Sequence, residues 1–308
     1  MTTDSLPQTS AGPAGTPAPA TTPTAPDRQR RRGRRHITAA AKHTLLVVLS
    51  LMMVYPLIWL VLSSFRPSDL IFREPGLSLK GLTLANYSNG WTALGSPFGK
   101  YLLNSATLVL GAIIGNLFSC SLAAYAFARL RFRGRNLLFA IMLGTIMLPV
   151  HVVIVPQYVL FSRLHLLNTF LPLILPKFLA TDAFFVFLMV QFIRGIPREL
   201  DEAARIDGAG HPRIFLQVIL PLMVPALVTT AIFTFIGTWN DFFGQLIYLT
   251  KEENWTAPLA LRTFLDAESA SNYGGMFAMS VISLLPLFLV FLVGQRWLLR
   301  GIATTGIK

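Results

Sequence analysis

The sequence predicts an all-α integral membrane protein with six transmembrane helices and both termini in the cytoplasm. Three observations predict it. Hydrophobic residues make up 53% of the 308-residue chain, charged residues only 13%, and mean hydropathy is +0.58, a balance that ordinary soluble domains do not show. Six apolar segments are each long enough to cross roughly 30 Å of hydrocarbon. Lysine and arginine concentrate in the two tails and in the loops after the second and fourth segments, which sets an orientation.

Residues 1–27 are rich in Pro, Thr, Ala and Ser with almost no large apolar side chain, and arginines follow from Arg28 to Arg35. Such a stretch cannot bury enough surface to offset its ordering entropy, so 1–40 is expected to be a disordered basic tail. It does not read as a cleavable signal peptide, because the apolar run begins only near Thr44 and no small-residue cleavage pattern follows it. The expected spans are 44–65, 101–127, 137–160, 169–193, 215–238 and 276–299. Several contain proline, among them Pro149, Pro156, Pro172, Pro176, Pro221 and Pro225. A proline within a span frees a carbonyl that neighbours must satisfy, so the third and fourth segments are expected to be broken or kinked.

The tails and the loops after segments two and four together hold eighteen Lys and Arg, against six on the opposite side. The positive-inside rule therefore places both termini in the cytoplasm. The net charge of +12 is a topology signal, and no nucleic-acid partner is expected. The outward loops 70–99 and 240–275 are long and carry Pro75, Trp91, Trp255, Asp266 and Glu268, so they are expected to hold structure and to meet an external partner or the lipid interface.

The cytoplasmic loop at about 194–214 is the most informative part of the chain. Pro197 suits a helix start, Glu199, Asp201 and Glu202 favour its positive end, and Gly208 is placed to terminate it. Asp201 and Arg205 fall at i,i+4, and Leu200, Ala203 and Ala204 cluster on one side. Asp207 breaks the pattern, since an anion in a last turn opposes the helix dipole; a hydrogen bond to the next helix, opened by Pro212, is the expected resolution.

No catalytic constellation accompanies this loop. Cys120 is single and sits in an apolar run, the five histidines show no metal-ligand spacing, and the 95–100 stretch lacks the glycine and hydroxyl residue of a phosphate loop. Gly111, Gly115, Ser119 and Ala123 form a small-residue stripe on segment two suited to close helix packing. Asp182, inside segment four, is an intramembrane carboxylate and hence a candidate cavity or gate residue. A transporter driven by an ion gradient is the alternative from another class; it predicts ionisable relay residues in several spans, of which only Asp182 qualifies.

Glu202-Ala203-Ala204, three residues, Gly208, nine residues, then Val218-Ile219-Leu220-Pro221 resembles the EAA loop of ABC importer permeases, with Val218 where the pattern has Ile. Ala123 to Arg129, Pro149, Pro156, Gln191-Phe192, Ile196-Pro197, Trp239 to Phe242 and Gln295-Arg296 resemble the carbohydrate branch, specifically the second permease of maltose-type importers. The resemblance implies a type I ABC importer permease fold over 41–308, in a bacterial plasma membrane. It implies a homologous partner permease, two cytoplasmic ATPase subunits, an extracellular solute-binding protein and a sugar substrate. ATP would be used by the partner subunits, with no cofactor bound by this chain. It also implies an ATPase-coupling element made of Glu202, Ala203, Ala204, Arg205, Asp207, Gly208, Leu220 and Pro221. Trp239, Asn240 and Asp241, at the outer end of segment five, join Asp182 as candidates for the substrate pathway, since aromatic and amide groups suit hydroxyl-rich ligands.

Overall fold

A computed structural model describes residues 25–73, 76–265 and 272–303. The chain divides into two units, Met1–Leu57 and Ile58–Lys308. The helices in chain order are α1 (Ala25–Ser64), α2 (Ser68–Arg73), α3 (Ala85–Thr92), α4 (Phe98–Arg129), α5 (Arg135–Thr145), α6 (Val150–Arg163), α7 (Leu171–Ile174) and α8 (Ala183–Arg194). They continue as α9 (Glu199–Ile206), α10 (His211–Ile214), α11 (Leu220–Leu222), α12 (Val224–Asn240), α13 (Phe243–Tyr248), α14 (Ala257–Thr263) and α15 (Tyr273–Ala303). Among the described residues there is no strand.

In the first unit the stretch read as a disordered tail over 1–40 is helical from Ala25 onward, where Pro26 occupies the first turn and arginine and alanine, both good helix formers, follow. Residues 1–24 lie outside the described residues. From Ala41 to Leu57 every side chain is exposed and most are large and apolar, the surface that lipid rather than water would cover.

Among the described residues four helical stretches are long and apolar enough to cross a membrane, within α1, α4, 171–194 and α15, and a bent pair of stretches, 211–222 with 224–240, passes the same test. The third expected span is broken, as its prolines predict: it is two helices, α5 and α6, split at 146–149. Pro149 is extended at φ −62° and ψ 129° and disfavours helix at Leu148, so the chain cannot continue straight. The fourth span is broken as expected. A 3₁₀ turn over 175–179 leads to Ala180 at φ +54°, after which α8 starts afresh at Ala183. The fifth is bent by 74° at Met223, between Pro221 and Pro225, and a π-helical turn over 215–219 precedes the bend.

The Gly111, Gly115, Ser119 stripe packs α4 against that broken fourth span. A Cβ on Gly111 would lie 2.7 Å from Ile174, and one on Gly115 would lie 2.7 Å from Phe178 and 3.0 Å from Lys177. One turn on, the Ser119 hydroxyl donates to the Lys177 carbonyl at 2.6 Å and accepts from the Ala180 N–H at 3.1 Å. Small residues thus admit the unwound backbone, and a serine satisfies polar groups that lipid could not. Gly115→Val is expected to destabilise the protein by about 1–3 kcal/mol through overpacking; thermal melting of the purified protein checks this, and an unchanged midpoint would count against the close approach.

Elsewhere the core gathers where α4, α8, α12 and the 211–223 region meet, around Cys120, Tyr125, Val186, Met189, Ile193, Phe215 and Met223. A second cluster joins Phe98 and Tyr101 of α4 to Ala257, Ala260 and Phe264 in and just after α14, and to Met279 of α15. The segments expected as structured loops do hold helices, α2 and α3 in one and α13 and α14 in the other; Pro75, Asp266 and Glu268 lie outside the described residues. The second segment is tied to α4: Tyr101 Oη donates to Glu252 Oε1 at 2.6 Å, and the Ala257 N–H donates to Ser105 Oγ at 2.9 Å.

Candidate functional site

α9 is a short helix whose ends are defined by its own sequence. Glu199, Asp201 and Glu202 lie in its first turn, where they complement the exposed N–H groups. At its other end Gly208 adopts φ +79°, the Ala209 N–H donates to the Ala204 carbonyl at 2.9 Å, and the Gly208 N–H donates to the Arg205 carbonyl at 3.0 Å. That pair of bonds is a Schellman closure, which requires a left-handed residue at the Gly208 position. The predicted helix and stop are therefore present.

Glu202, Ala203, Arg205, Ile206, Asp207 and Gly208 are exposed, whereas Ala204 is half-buried against the core and Asp201 is buried. Ile206 stands 88% exposed in the middle of these charges. Further along, Leu220 is half-buried and Pro221 exposed, immediately after the π-helical turn.

Two local expectations are corrected. Asp201 does not pair with Arg205 within the helix; its Oδ2 lies 2.9 Å from Nε of Arg129, the last residue of α4, with the two side chains 7% and 3% exposed. The buried guanidinium is a stronger partner than a solvated one a turn away. The Asp207 N–H donates to the Ala203 carbonyl at 3.2 Å, but its carboxylate makes no hydrogen bond or ion pair among the described residues and the residue is exposed, so water screens its conflict with the helix dipole and no side-chain bond to the next helix forms.

A second group of polar residues lies within the spans. Asp182 Oδ2 accepts from Lys177 Nζ at 2.8 Å and from Asn116 Nδ2 at 2.7 Å, and Asn116 Nδ2 also reaches Thr234 Oγ1 at 3.0 Å. Lys177 and Asp182 keep 28% and 26% of their side-chain surface. They face a cavity of about 850 Å³ that Thr145, Gln157, Thr238, Asn240 and Asp241 also line, and an adjoining one of about 380 Å³ that reaches Asn116 and Thr234. Beyond the end of α12, the Gly244 N–H donates to Asp241 Oδ1 at 3.0 Å. Burial, the largest influence, raises the Asp241 carboxyl above the ordinary carboxylate range, opposed by that bond and by Lys177.

Three of the four pathway candidates, Asp182, Asn240 and Asp241, thus share one cavity. Trp239 does not join them. It is buried, stacks on Phe235 with ring centroids 5.4 Å apart, and its Nε1 donates to the Ser283 carbonyl at 3.1 Å, so it joins α12 to α15 rather than facing a ligand. Reading the sequence missed Asn116, Lys177 and Arg129 as site residues. Asn116 and Lys177 carried an available signal, a polar group inside an apolar run; Arg129 was indistinguishable from its neighbours Arg131 and Arg133.

Residues 115–304 match the family model described as binding-protein-dependent transport system inner membrane component. The chain is 35% identical to the diacetylchitobiose uptake system permease protein NgcG of Streptomyces coelicolor, over 84% of this chain and 85% of that protein. It is likewise 35% identical to the arabinooligosaccharides transport system permease protein AraQ of Halalkalibacterium halodurans, over 83% of this chain and 91% of its relative. The sn-glycerol-3-phosphate transport system permease protein UgpE of Yersinia pestis is 33% identical over 84% and 94%. In fold, the chain is similar to a solved chain of a bacterial ABC transporter involved in the import of the acidic polysaccharide alginate, with a TM-score of 0.75, 23% identity, and 90% and 99% of the two chains covered.

Proposed function

Because this chain belongs to the family of binding-protein-dependent transport system inner membrane components, we propose that it is the permease subunit of an ATP-driven importer for a sugar or oligosaccharide, coupled to its ATPase through α9. It is a multi-pass protein of the bacterial plasma membrane and a transport subunit, not an enzyme. Six crossings with both termini in the cytoplasm follow if α5 and α6 together make one broken span and the bent pair makes another.

The partners are a homologous permease that completes the pathway, two cytoplasmic ATPase subunits that bind and hydrolyse ATP, and an extracellular solute-binding protein that delivers the sugar. This chain needs no cofactor in that scheme. The surface of α9 supports its assigned role more than any other observation: Glu202, Ala203, Arg205 and Ile206 are presented outward on a helix whose Asp201 is held at its root. Ala203 lets a groove wall approach closely, Ile206 offers an apolar anchor, and Glu202 and Arg205 set orientation. Gly208 makes the turn, while Leu220 and Pro221 carry the motion into the bent fifth span. On the other side, the cavity bearing Asp182, Asn240 and Asp241 is this subunit's share of the substrate pathway, with hydroxyl-rich ligands suited to its carboxylate and amide groups.

Glu202→Lys tests the assignment. Sugar uptake in vesicles is expected to fall at least about tenfold, equivalent to ~1.4 kcal/mol of lost coupling, while the chain still inserts in the membrane. Normal uptake by this variant would remove Glu202 from the coupling element.

A further inference from the structure

The last two turns of α4 hold the α9 loop at three places. Arg129 Nη2 donates to the Ile196 carbonyl at 2.7 Å ahead of α9. Its Nε lies 2.9 Å from Asp201 Oδ2 within α9. One turn back, Tyr125 Oη is 3.2 Å from His211 Nδ1 beyond α9. Arg129, Asp201 and Tyr125 are all buried, so water does not loosen these contacts as it would a surface pair.

The same helix reaches the cavity. Asn116 lies thirteen residues before Arg129 on α4, about 20 Å along the axis at the rise of an α-helix, and it holds Asp182 of the Lys177 pair. Ser119, between them, holds the unwound backbone at Lys177 and Ala180. Asp201 Oδ1 and Arg129 Nε are buried without a hydrogen bond of their own, so the ion pair is close but one-armed. Displacing α9 without α4 would strand both charges in a region that cannot solvate them, a large penalty that makes the two move together.

We propose that Arg129 and Asp201, with Tyr125, are positioning residues that lock the ATPase-docking helix to α4, so that displacement of α9 is delivered along α4 to the Asn116–Asp182–Lys177 cluster in the cavity. The proposal rests on the reading of α9 as the docking helix and adds the route by which its motion reaches the pathway.

The test uses the assembled importer, purified through a tag on this chain and placed in proteoliposomes with its binding protein. Asp201→Asn, which keeps shape and removes charge, is expected to assemble normally and to lower sugar transported per ATP hydrolysed at least about tenfold. Tyr125→Phe, which keeps the buried ring and removes only the hydroxyl, is expected to lower the same ratio about threefold, and it carries the test should Asp201→Asn reduce assembly. A merely structural role would lower the amount of assembled complex and leave the ratio per complex unchanged; that result in the assembled fraction of either variant overturns the proposal. Ile206→Cys in a Cys120→Ala background separates the two readings. Failure to cross-link to an ATPase subunit defeats the docking role itself, whereas cross-linking with an unchanged transport ratio in Asp201→Asn defeats only the lock to α4.

Discussion

Gly208→Val is expected to lower sugar uptake per assembled importer at least about tenfold, whereas Gly208→Asn keeps most of it. The reason is conformational rather than steric. No atom lies within 4 Å of a Cβ built on Gly208, so a side chain would have room; what it lacks is an allowed backbone at φ +79°. Left-handed geometry costs an ordinary L-residue roughly 1–2 kcal/mol, more when the side chain is β-branched, and asparagine tolerates it best. If valine expels the left-handed turn, the bonds from Ala209 to Ala204 and from Gly208 to Arg205 are lost, and the chain no longer turns back toward His211. α9 then presents Glu202 and Ile206 at the wrong angle although its sequence is intact. Uptake and ATP hydrolysis measured on the same vesicles check this, and equal uptake by the valine and asparagine variants would show that the left-handed turn is not what matters.

Lys177→Met is expected to destabilise the protein more than the double change Lys177→Met with Asp182→Asn. The single change leaves a carboxylate in a span with Asn116 as its remaining hydrogen-bond donor. Removing one partner of a fully buried ion pair costs about 3–5 kcal/mol; with roughly a quarter of each side chain still accessible, about 1–3 kcal/mol is the expected loss here. The double change removes both charges and leaves an amide that can still bond Asn116, so most of the loss returns. Melting of the purified protein in detergent measures both. Equal midpoints for the single and double variants would mean that the Asp182 charge is solvated through the cavity and does not need Lys177. Uptake by the double variant then reports whether charge in the cavity, beyond stability, is required for transport.

Much of α9 was legible because its signals are local. First-turn acids, a glycine at the stop, and a fixed spacing to Leu220-Pro221 depend only on neighbours in sequence, and the helix and its Schellman closure match them. That the third and fourth segments break was legible from their prolines, and Pro149 marks the first break directly, since proline acts on the residue before it; the second falls at Ala180, past Pro176, and its position was not legible. Side-chain partners were not legible. Asp201 had Arg205 four residues away and found Arg129 instead, seventy-two residues earlier; Trp239 had the chemistry of a sugar platform and was used to join α12 to α15. A hydrophobicity pattern records which face avoids water, but inside a membrane almost every face does, so it says little about which helices meet.

The sequence by itself determined a membrane-embedded helical chain, the breaking of its third and fourth spans, and the short helix that ends at Gly208, because hydrophobic length, proline and glycine act through the local backbone. Only the tertiary structure decided that Asp182 meets Lys177 and Asn116 at a cavity and that Asp201 meets Arg129 at the end of α4. An ionisable group in a low-dielectric setting is committed to whichever opposite charge the packing brings within about 3–4 Å, and that distance is set by the close approach of helices far apart in the chain.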